Sequence, residues 1–458
     1  MVNTTQHWQQ LDANHHLHPF SDLRAMREDA KTRVISKAEG IYIYDSDGNK
    51  ILDAMSGLWC VNVGYDEQRI IDAVNAQMHE LPYYNSFFTT THPPAAELTA
   101  LLAEIAPPHM NQAFFTSGGS EANDTVVRMV RHYWATLGQP GKTVIISREN
   151  AYHGSTMAAA SLGGMDFMHA QGGLPIPDIE HICQPYAYDE CVKQGGEIDR
   201  NAFGLAAARE LEKKIHELGE ERVAAFIAEP IQGAGGVIIP PESYWPEIRR
   251  ICEQHDILLV VDEVICGFGR TGEWFGSTYY GLEPDLMPIA KGMSSGYLPI
   301  GGVMVSDRVA EVLMRENVEF AHGFTYSGHP ACASAAIANI RILQSEDLVA
   351  RVREQSAPYL ARQWQTLSDH PLVGEARSLG MVGALEIVED KARYKRFENS
   401  SEITALCRTF CFDNGLVMRA VTDKMIIAPP LIITEAEIDE LVDKARHCLD
   451  LTADAIAA

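Results

Sequence analysis

Apolar positions recur along this chain in two ways. Near the start, IYIYDSDGNKILDAMSG from Ile41 places short apolar stretches on either side of Asp47-Gly48, which predicts two antiparallel strands joined by a tight turn. From about residue 95 short, nearly unbroken apolar runs take turns with helical stretches: AFFTSGGSEANDTVVRMVRHYW, TVIISREN, AAFIAEP, DILLVVDEV, DLMPIAKG and GGVMVS. Strands of this kind, each followed by a helix, predict an α/β fold with a mostly parallel sheet covered on both faces. From about Gly328 the pattern changes to a long helix (ACASAAIANIRILQ), strands (SLGMVGALEIV, NGLVMRAV, KMIIAPPLII) and a closing helix, EIDELVDKARHCLDL. This tail has the size of a second, smaller α+β domain. The opening hairpin has no partner in the central block and is expected to pack with the tail.

Length and charge narrow the field. At 458 residues the chain can hold one large unit with a smaller one attached, and no repeat or low-complexity linker separates them. Lys and Arg total 37 against 62 Asp and Glu, a balance of −25 that repels nucleic acid and anionic lipid and would attract a small cation. The nine cysteines occur without a CxxC pair, so neither a zinc ribbon nor a disulfide framework is encoded. With a polar start and no long apolar run, the chain reads as a cytoplasmic protein that binds no membrane and no nucleic acid.

In a mostly parallel sheet, ligands bind where strands end. After AFF come Thr116, Ser117, Gly118, Gly119 and Ser120, opening a helix whose free N–H groups could seat a phosphate or be plainly capped. Asp262 and Glu263 end one apolar strand and Glu229 another. Such carboxylates can bind a metal, run acid–base chemistry or hold a protonated ring nitrogen, and no His or Asp at metal-ligand spacing accompanies them. Lys291 ends a further strand, where burial would make it nucleophilic toward a carbonyl. A phosphate seat, a buried carboxylate and a strand-end lysine together describe the site of pyridoxal 5′-phosphate. Three other motifs do not fit their chemistry. Gly267–Gly272 matches G-x-G-x-x-G but has no helix after it, and Gly292–Gly296 matches G-x-S-x-G but is followed by YLPIGG. The histidines of HHLH (His15, His16, His18) read as loop rather than metal ligands.

SGGSEAND, AYHGST, FIAEPIQGAGGV, VVDEVICGFGRTGEWFG, PIAKGMSSGYLPIGG and GFTYSGHP resemble the class III aminotransferases of the fold-type I pyridoxal-phosphate enzymes, over nearly the whole chain. GLWCVNVGY, LPYYNSFF and VMRAV with MIIAPP are most similar to the pyruvate-dependent ω-amino acid and amine transaminases that act on putrescine and polyamines. Ile265-Cys266 stands where the ornithine and GABA branches carry Gln-Thr. The resemblance implies a large domain over 61–328 with a seven-stranded sheet, and a small one from 1–60 and 329–458. It implies that Lys291 binds the cofactor and shuttles the proton, and that Asp262 holds the pyridine nitrogen with support from Glu229. Gly119 and Ser120 would hold the phosphate, joined by Thr325 from a second subunit. Tyr152 and Val264 would pack on the two ring faces. Trp59, Phe88 and Tyr152 would line the substrate pocket, and Arg419 would be a mobile arginine for the pyruvate carboxylate. The implied activity is amine transfer from putrescine, another diamine or polyamine, or an ω-amino acid such as β-alanine, to pyruvate in a homodimer or a tetramer. The competing readings are a decarboxylase or aminomutase on the same scaffold and a non-catalytic pyridoxal-phosphate-binding protein.

Overall fold

The computed structural model describes residues 4–315 and 317–458. Strand β1 (Ile35–Glu39) pairs with β2 (Tyr42–Asp45), and β2 with β3 (Lys50–Asp53), all antiparallel. The β2–β3 turn is held by Asp45, whose carboxylate accepts from the N–H groups of Asp47 and Asn49. The main sheet is built from β4 (Gln112–Thr116), β5 (Val144–Arg148), β6 (Ile179–Ile182), β7 (Val223–Ala228), β8 (Leu258–Val261), β9 (Leu286–Ile289) and β10 (Gly301–Val305). Its order is β4-β10-β9-β8-β7-β5-β6, with β10 antiparallel to both neighbours and the rest parallel. Strand β6 is not foreseen from the sequence.

Alternation along the central strands explains the layers. Ile145, Ala225, Ile227, Leu258 and Val260 point to one face, against Val126, Val130 and Trp134 of the helix Gly119–Thr136. Ile146, Phe226, Ala228, Leu259 and Val261 point to the other, against Leu211, Ile215, Trp245 and Ile248 of two further helices. Both faces are therefore covered and the charged residues are left to the strand ends.

A second sheet follows, from β11 (Val373–Leu379), β12 (Val382–Ile387), β14 (Arg419–Val421) and β15 (Lys424–Ile427). Strand β13 (Leu416–Val417) leaves it and pairs in parallel with β3, so the opening hairpin does join the tail. The Gly267–Gly272 turn fastens both ends of the chain to the central block. Its Arg270 is fully buried; the guanidinium donates to Asn62 Oδ1 (2.6 Å), Ser56 Oγ (3.3 Å) and the carbonyls of Met381 (3.3 Å) and Pro429. In the other glycine motif, Ser294 and Ser295 spend their hydroxyls on Leu298 O and Asn339 Oδ1, leaving no exposed nucleophile. His15 closes the helix Thr5–His15 rather than lying in a loop, while His16 and His18 follow it. All nine cysteines are free. Among the described residues no helix is long and apolar enough to cross a membrane.

Candidate active site

The parallel pairing of β7, β8 and β9 brings their carboxyl ends side by side, and with them Glu229, Asp262 and Lys291. Lys291 follows an extended Ala290 and sits at φ 42°, a left-handed conformation costly for a residue with a side chain. Burial lowers its pKa below the usual lysine range, with Cys60, Asp262 and Glu229 pulling the other way. A lysine so placed loses its proton more readily than one on the surface.

Asp262 is buried, and its charge is met by three donors. Oδ2 accepts from His153 Nδ1 (2.7 Å) and Asn123 Nδ2 (2.8 Å), and Oδ1 from the Val264 N–H (3.0 Å). Asn123 also donates to His153 O (2.7 Å), which locks the two supports together. Neither residue is foreseen from the sequence as a functional residue. Glu229, expected to support Asp262, makes no hydrogen bond to it. Its oxygens accept from the N–H groups of Tyr152 (3.1 Å) and Gly233 (2.9 Å), so it anchors the backbone under the Tyr152 ring. Burial raises the Glu229 pKa. Glu263 is separate again: it accepts from the N–H groups of Gly276 and Ser277 and caps the next short helix.

The helix Gly119–Thr136 begins without a side-chain cap, so its first N–H groups remain available to an anion. The space before it is kept open by glycine. A Cβ on Gly119 would lie 3.0 Å from Val264, and one on Gly154, at φ 139°, would lie 2.6 Å from Ser120 Oγ. His153 Nε2 and Asn123 Oδ1 are buried without a partner beside the carboxylate. An open helix terminus, a buried carboxylate held by donors and a deprotonatable lysine at neighbouring strand ends fit the phosphate, ring nitrogen and aldehyde of pyridoxal phosphate.

The wall opposite is aromatic and cationic. The Trp59 ring lies 5.6 Å from Lys291 Nζ and 4.9 Å from the Arg419 guanidinium carbon. Trp59 is buried at φ 58° in an irregular turn that Asp53 cradles by accepting from Met55 N–H, Gly57 N–H and Tyr65 Oη. Arg419 has no hydrogen-bonded or ionic partner among the described residues, and burial lowers its pKa. It borders a cavity of about 760 Å³ that also carries Glu149, Asp166, Asp189 and Asp423. Beside the lining residue Phe167, the Phe20 ring, unforeseen from the sequence, forms T-shaped pairs with Tyr152 (6.3 Å between ring centres) and Phe167 (6.4 Å).

Two expected site residues stand apart within one chain. The Phe88 ring is 87% exposed, with Phe87 as its aromatic neighbour, and does not join Trp59 and Tyr152. Thr325 is also exposed, and its carbonyl accepts from Tyr83 Oη (2.8 Å). The two loops meet on one surface through this bond and through Ser86 Oγ and Ser327 O.

Comparison with known proteins agrees with this geometry. The family profile described as aminotransferase class III matches residues 24–449. The chain is 60% identical to a putrescine–pyruvate aminotransferase of Pseudomonas aeruginosa, covering 99% of this chain and 98% of that one. It is 39% identical to a diaminobutyrate–2-oxoglutarate transaminase of Halomonas elongata, over 97% and 94%. A thermostable ω-transaminase variant from Pseudomonas jessenii superposes with a TM-score of 0.94 at 38% identity, over 98% of this chain and 99% of that one. This chain belongs to the class III aminotransferases and is a pyridoxal-phosphate-dependent enzyme.

Proposed function

We propose that the enzyme moves an amino group from a primary amine, with putrescine or a related diamine or polyamine as donor, to pyruvate, giving an aldehyde and alanine. The observation that carries this reading is Arg419: an unpaired guanidinium stacked on Trp59, within reach of the Lys291 end of the pocket. Guanidinium binds a carboxylate through two parallel hydrogen bonds, which suits pyruvate. The same group would repel an ammonium tail, so it must turn aside for a diamine. The adjoining cavity offers the cation another environment, since Glu149 and Asp166 line it without ion-pair partners among the described residues. The P. aeruginosa relative's activity supports the same donor and acceptor. Transfer from β-alanine or another ω-amino acid is the second reading, favoured by the same free guanidinium, which such donors also satisfy.

When bound, pyridoxal phosphate supplies a carbonyl to receive the amino group and a protonated ring that withdraws electrons. Lys291 would hold it and carry the proton between substrate carbon and nitrogen. Asp262, fixed by His153 and Asn123, would keep the ring nitrogen protonated. Gly119 and Ser120 would seat the phosphate, and Tyr152 and Val264 would sandwich the ring. A non-catalytic binding protein would have no use for a lysine, a carboxylate and an unpaired arginine in one pocket.

A homodimer is part of this reading. Phe88 and Thr325 lie on a rim with exposed Tyr83, Tyr84 and Tyr326, and would complete the pocket and phosphate seat of a neighbouring subunit, with tetramers a further possibility. Light scattering on the purified enzyme that gave a fully active monomer would remove this element. The free thiols support a cytoplasmic location, and the β3–β13 pairing supports a small domain drawn from 1–60 and 329–458 against a large one over 61–328. The test of the function is a panel of amines with pyruvate, scored by alanine formed. Putrescine should rank among the best donors; a panel that yields no alanine contradicts the proposal.

A further inference from the structure

The HHLHPF stretch has no part in the chemistry above, yet it ends at the pocket. The helix Thr5–His15 is fixed at its start, where Thr5 Oγ1 bonds Ser46 Oγ (2.7 Å) and Asp47 (2.5 Å) in the β2–β3 turn. At its other end Asp12 gathers three groups. Oδ2 accepts from Thr32 Oγ1 (2.7 Å) and pairs with His18 Nε2 (2.8 Å), while Oδ1 pairs with His16 Nδ1 (3.0 Å). The two imidazoles lie tilted at 44° with their centres 4.2 Å apart, and Gln9 Nε2 adds a bond to Thr32 O (3.0 Å). The hydrogen bond from Thr32, helped by those of the histidines, holds the Asp12 carboxyl down at about 2, so it stays ionised over the working range.

These bonds close a strap. Thr32 lies 20 residues after Asp12, and between them the chain runs out past Pro19 to Phe20 and returns through the short helix Leu23–Asp29. Phe20 needs such a device. The residue is 68% exposed, its ring meets those of Tyr152 and Phe167 only in T-shaped pairs, and its backbone sits at φ 49°. Little local packing would otherwise hold a bulky residue in that conformation, and a loop closed at its root samples far fewer arrangements than an open one.

We propose that Asp12 is a positioning residue for the amine pocket: by tying His18 and Thr32 to the end of the first helix, it closes the strap and fixes Phe20 against Tyr152. The substrate group that feels this is the apolar body of the amine, because Phe20 meets the aromatic side of the pocket and not Lys291. The kinetic part rests on the amine-transaminase reading given above; the structural part does not.

The test uses the holoenzyme with Asp12→Ala, Asp12→Asn and Phe20→Ala. Asp12→Ala should raise KM for the amine donor putrescine about five-fold while KM for pyruvate stays within about two-fold. Asp12→Asn, which keeps a carbonyl acceptor for Thr32, should fall between and guards against a variant that does not fold. In the Phe20→Ala background Asp12→Ala should add nothing, because the positioned ring is gone. Amides of residues 16–30 should exchange hydrogen at least about ten-fold faster in Asp12→Ala. Equal KM changes for both substrates, an undiminished effect without Phe20, or unchanged exchange would each overturn the proposal. If the wild type makes no alanine at all, the function reading fails and the exchange measurement alone decides the strap.

Discussion

The Arg419 guanidinium lies 4.9 Å from the centre of the Trp59 ring and has no carboxylate partner in its own chain among the described residues. A half-buried cation without a counter-ion is left partly desolvated and unpaired, and the stacking recovers part of that cost. The remainder is available to a substrate carboxylate. Replacing Arg419 by Ala should therefore raise KM for pyruvate by roughly 10–100-fold, the equivalent of about 1.5–3 kcal/mol for a charged hydrogen-bonded pair. KM for putrescine should change far less. Steady-state kinetics with each substrate varied in turn checks this, and equal losses would remove the carboxylate role.

The supports of Asp262 make a second prediction. His153 and Asn123 each give one short hydrogen bond to the same oxygen. His153→Ala should lower kcat about 10-fold or more while leaving KM for pyruvate nearly unchanged, because the loss falls on the chemistry and not on carboxylate binding. Single-turnover rates of each half-reaction would report it. A change confined to KM would mean that His153 shapes the pocket instead.

Glu263 gives a pH dependence with a definite sign. Burial holds its carboxyl up at about 7, above the 4.5 of a free glutamate, despite the two N–H groups it accepts from. The folded protein thus binds this proton more tightly than the unfolded chain. Its contribution to stability is complete below pH 4.5 and is lost as pH rises through 7. Relative to Glu263→Gln, the wild type should lose at most about 3 kcal/mol between pH 4.5 and 8. Calorimetric Tm differences between the two proteins at a series of pH values would test this; a constant difference would contradict it.

Arg270 is the fastening between both chain ends and the central block. Arg270→Ala should destabilise the fold by about 3 kcal/mol, since it leaves Asn62, Met381 and Pro429 acceptors unpaired and opens a cavity. Arg270→Lys should rescue little, because one ammonium on a flexible stem cannot fork to four acceptors. Denaturant unfolding of the three proteins measures it.

The legible part of the site was the part where charge interrupts an apolar strand. Asp262 and Lys291 end runs that must be buried, and a charge there requires a reason that can be read from local order alone. Asn123 and His153 offered no such cue. They meet Asp262 across 139 and 109 residues, and only folding reveals that three polar side chains share one pocket. Glu229 was legible as a strand-end carboxylate, but its partners are backbone N–H groups, which carry no sequence signal. The Asp47-Gly48 hairpin was readable from turn chemistry. Strand β6 was not, because IEHI is four residues long, half-polar and preceded by a proline-rich loop. Phe88 looked like pocket lining by its motif, whereas the fold of one chain leaves it on the rim.

The central claim is that Lys291, in this pocket, transfers amino groups from amine to pyruvate. The most direct measurement incubates the cofactor-loaded wild type and Lys291→Ala with putrescine and pyruvate and quantifies alanine, while recording the visible absorbance of the lysine-bound cofactor. The wild type should form alanine and show the band, and the variant should lose both. Alanine formed by Lys291→Ala at the wild-type rate, or none formed by the wild type, would contradict the account.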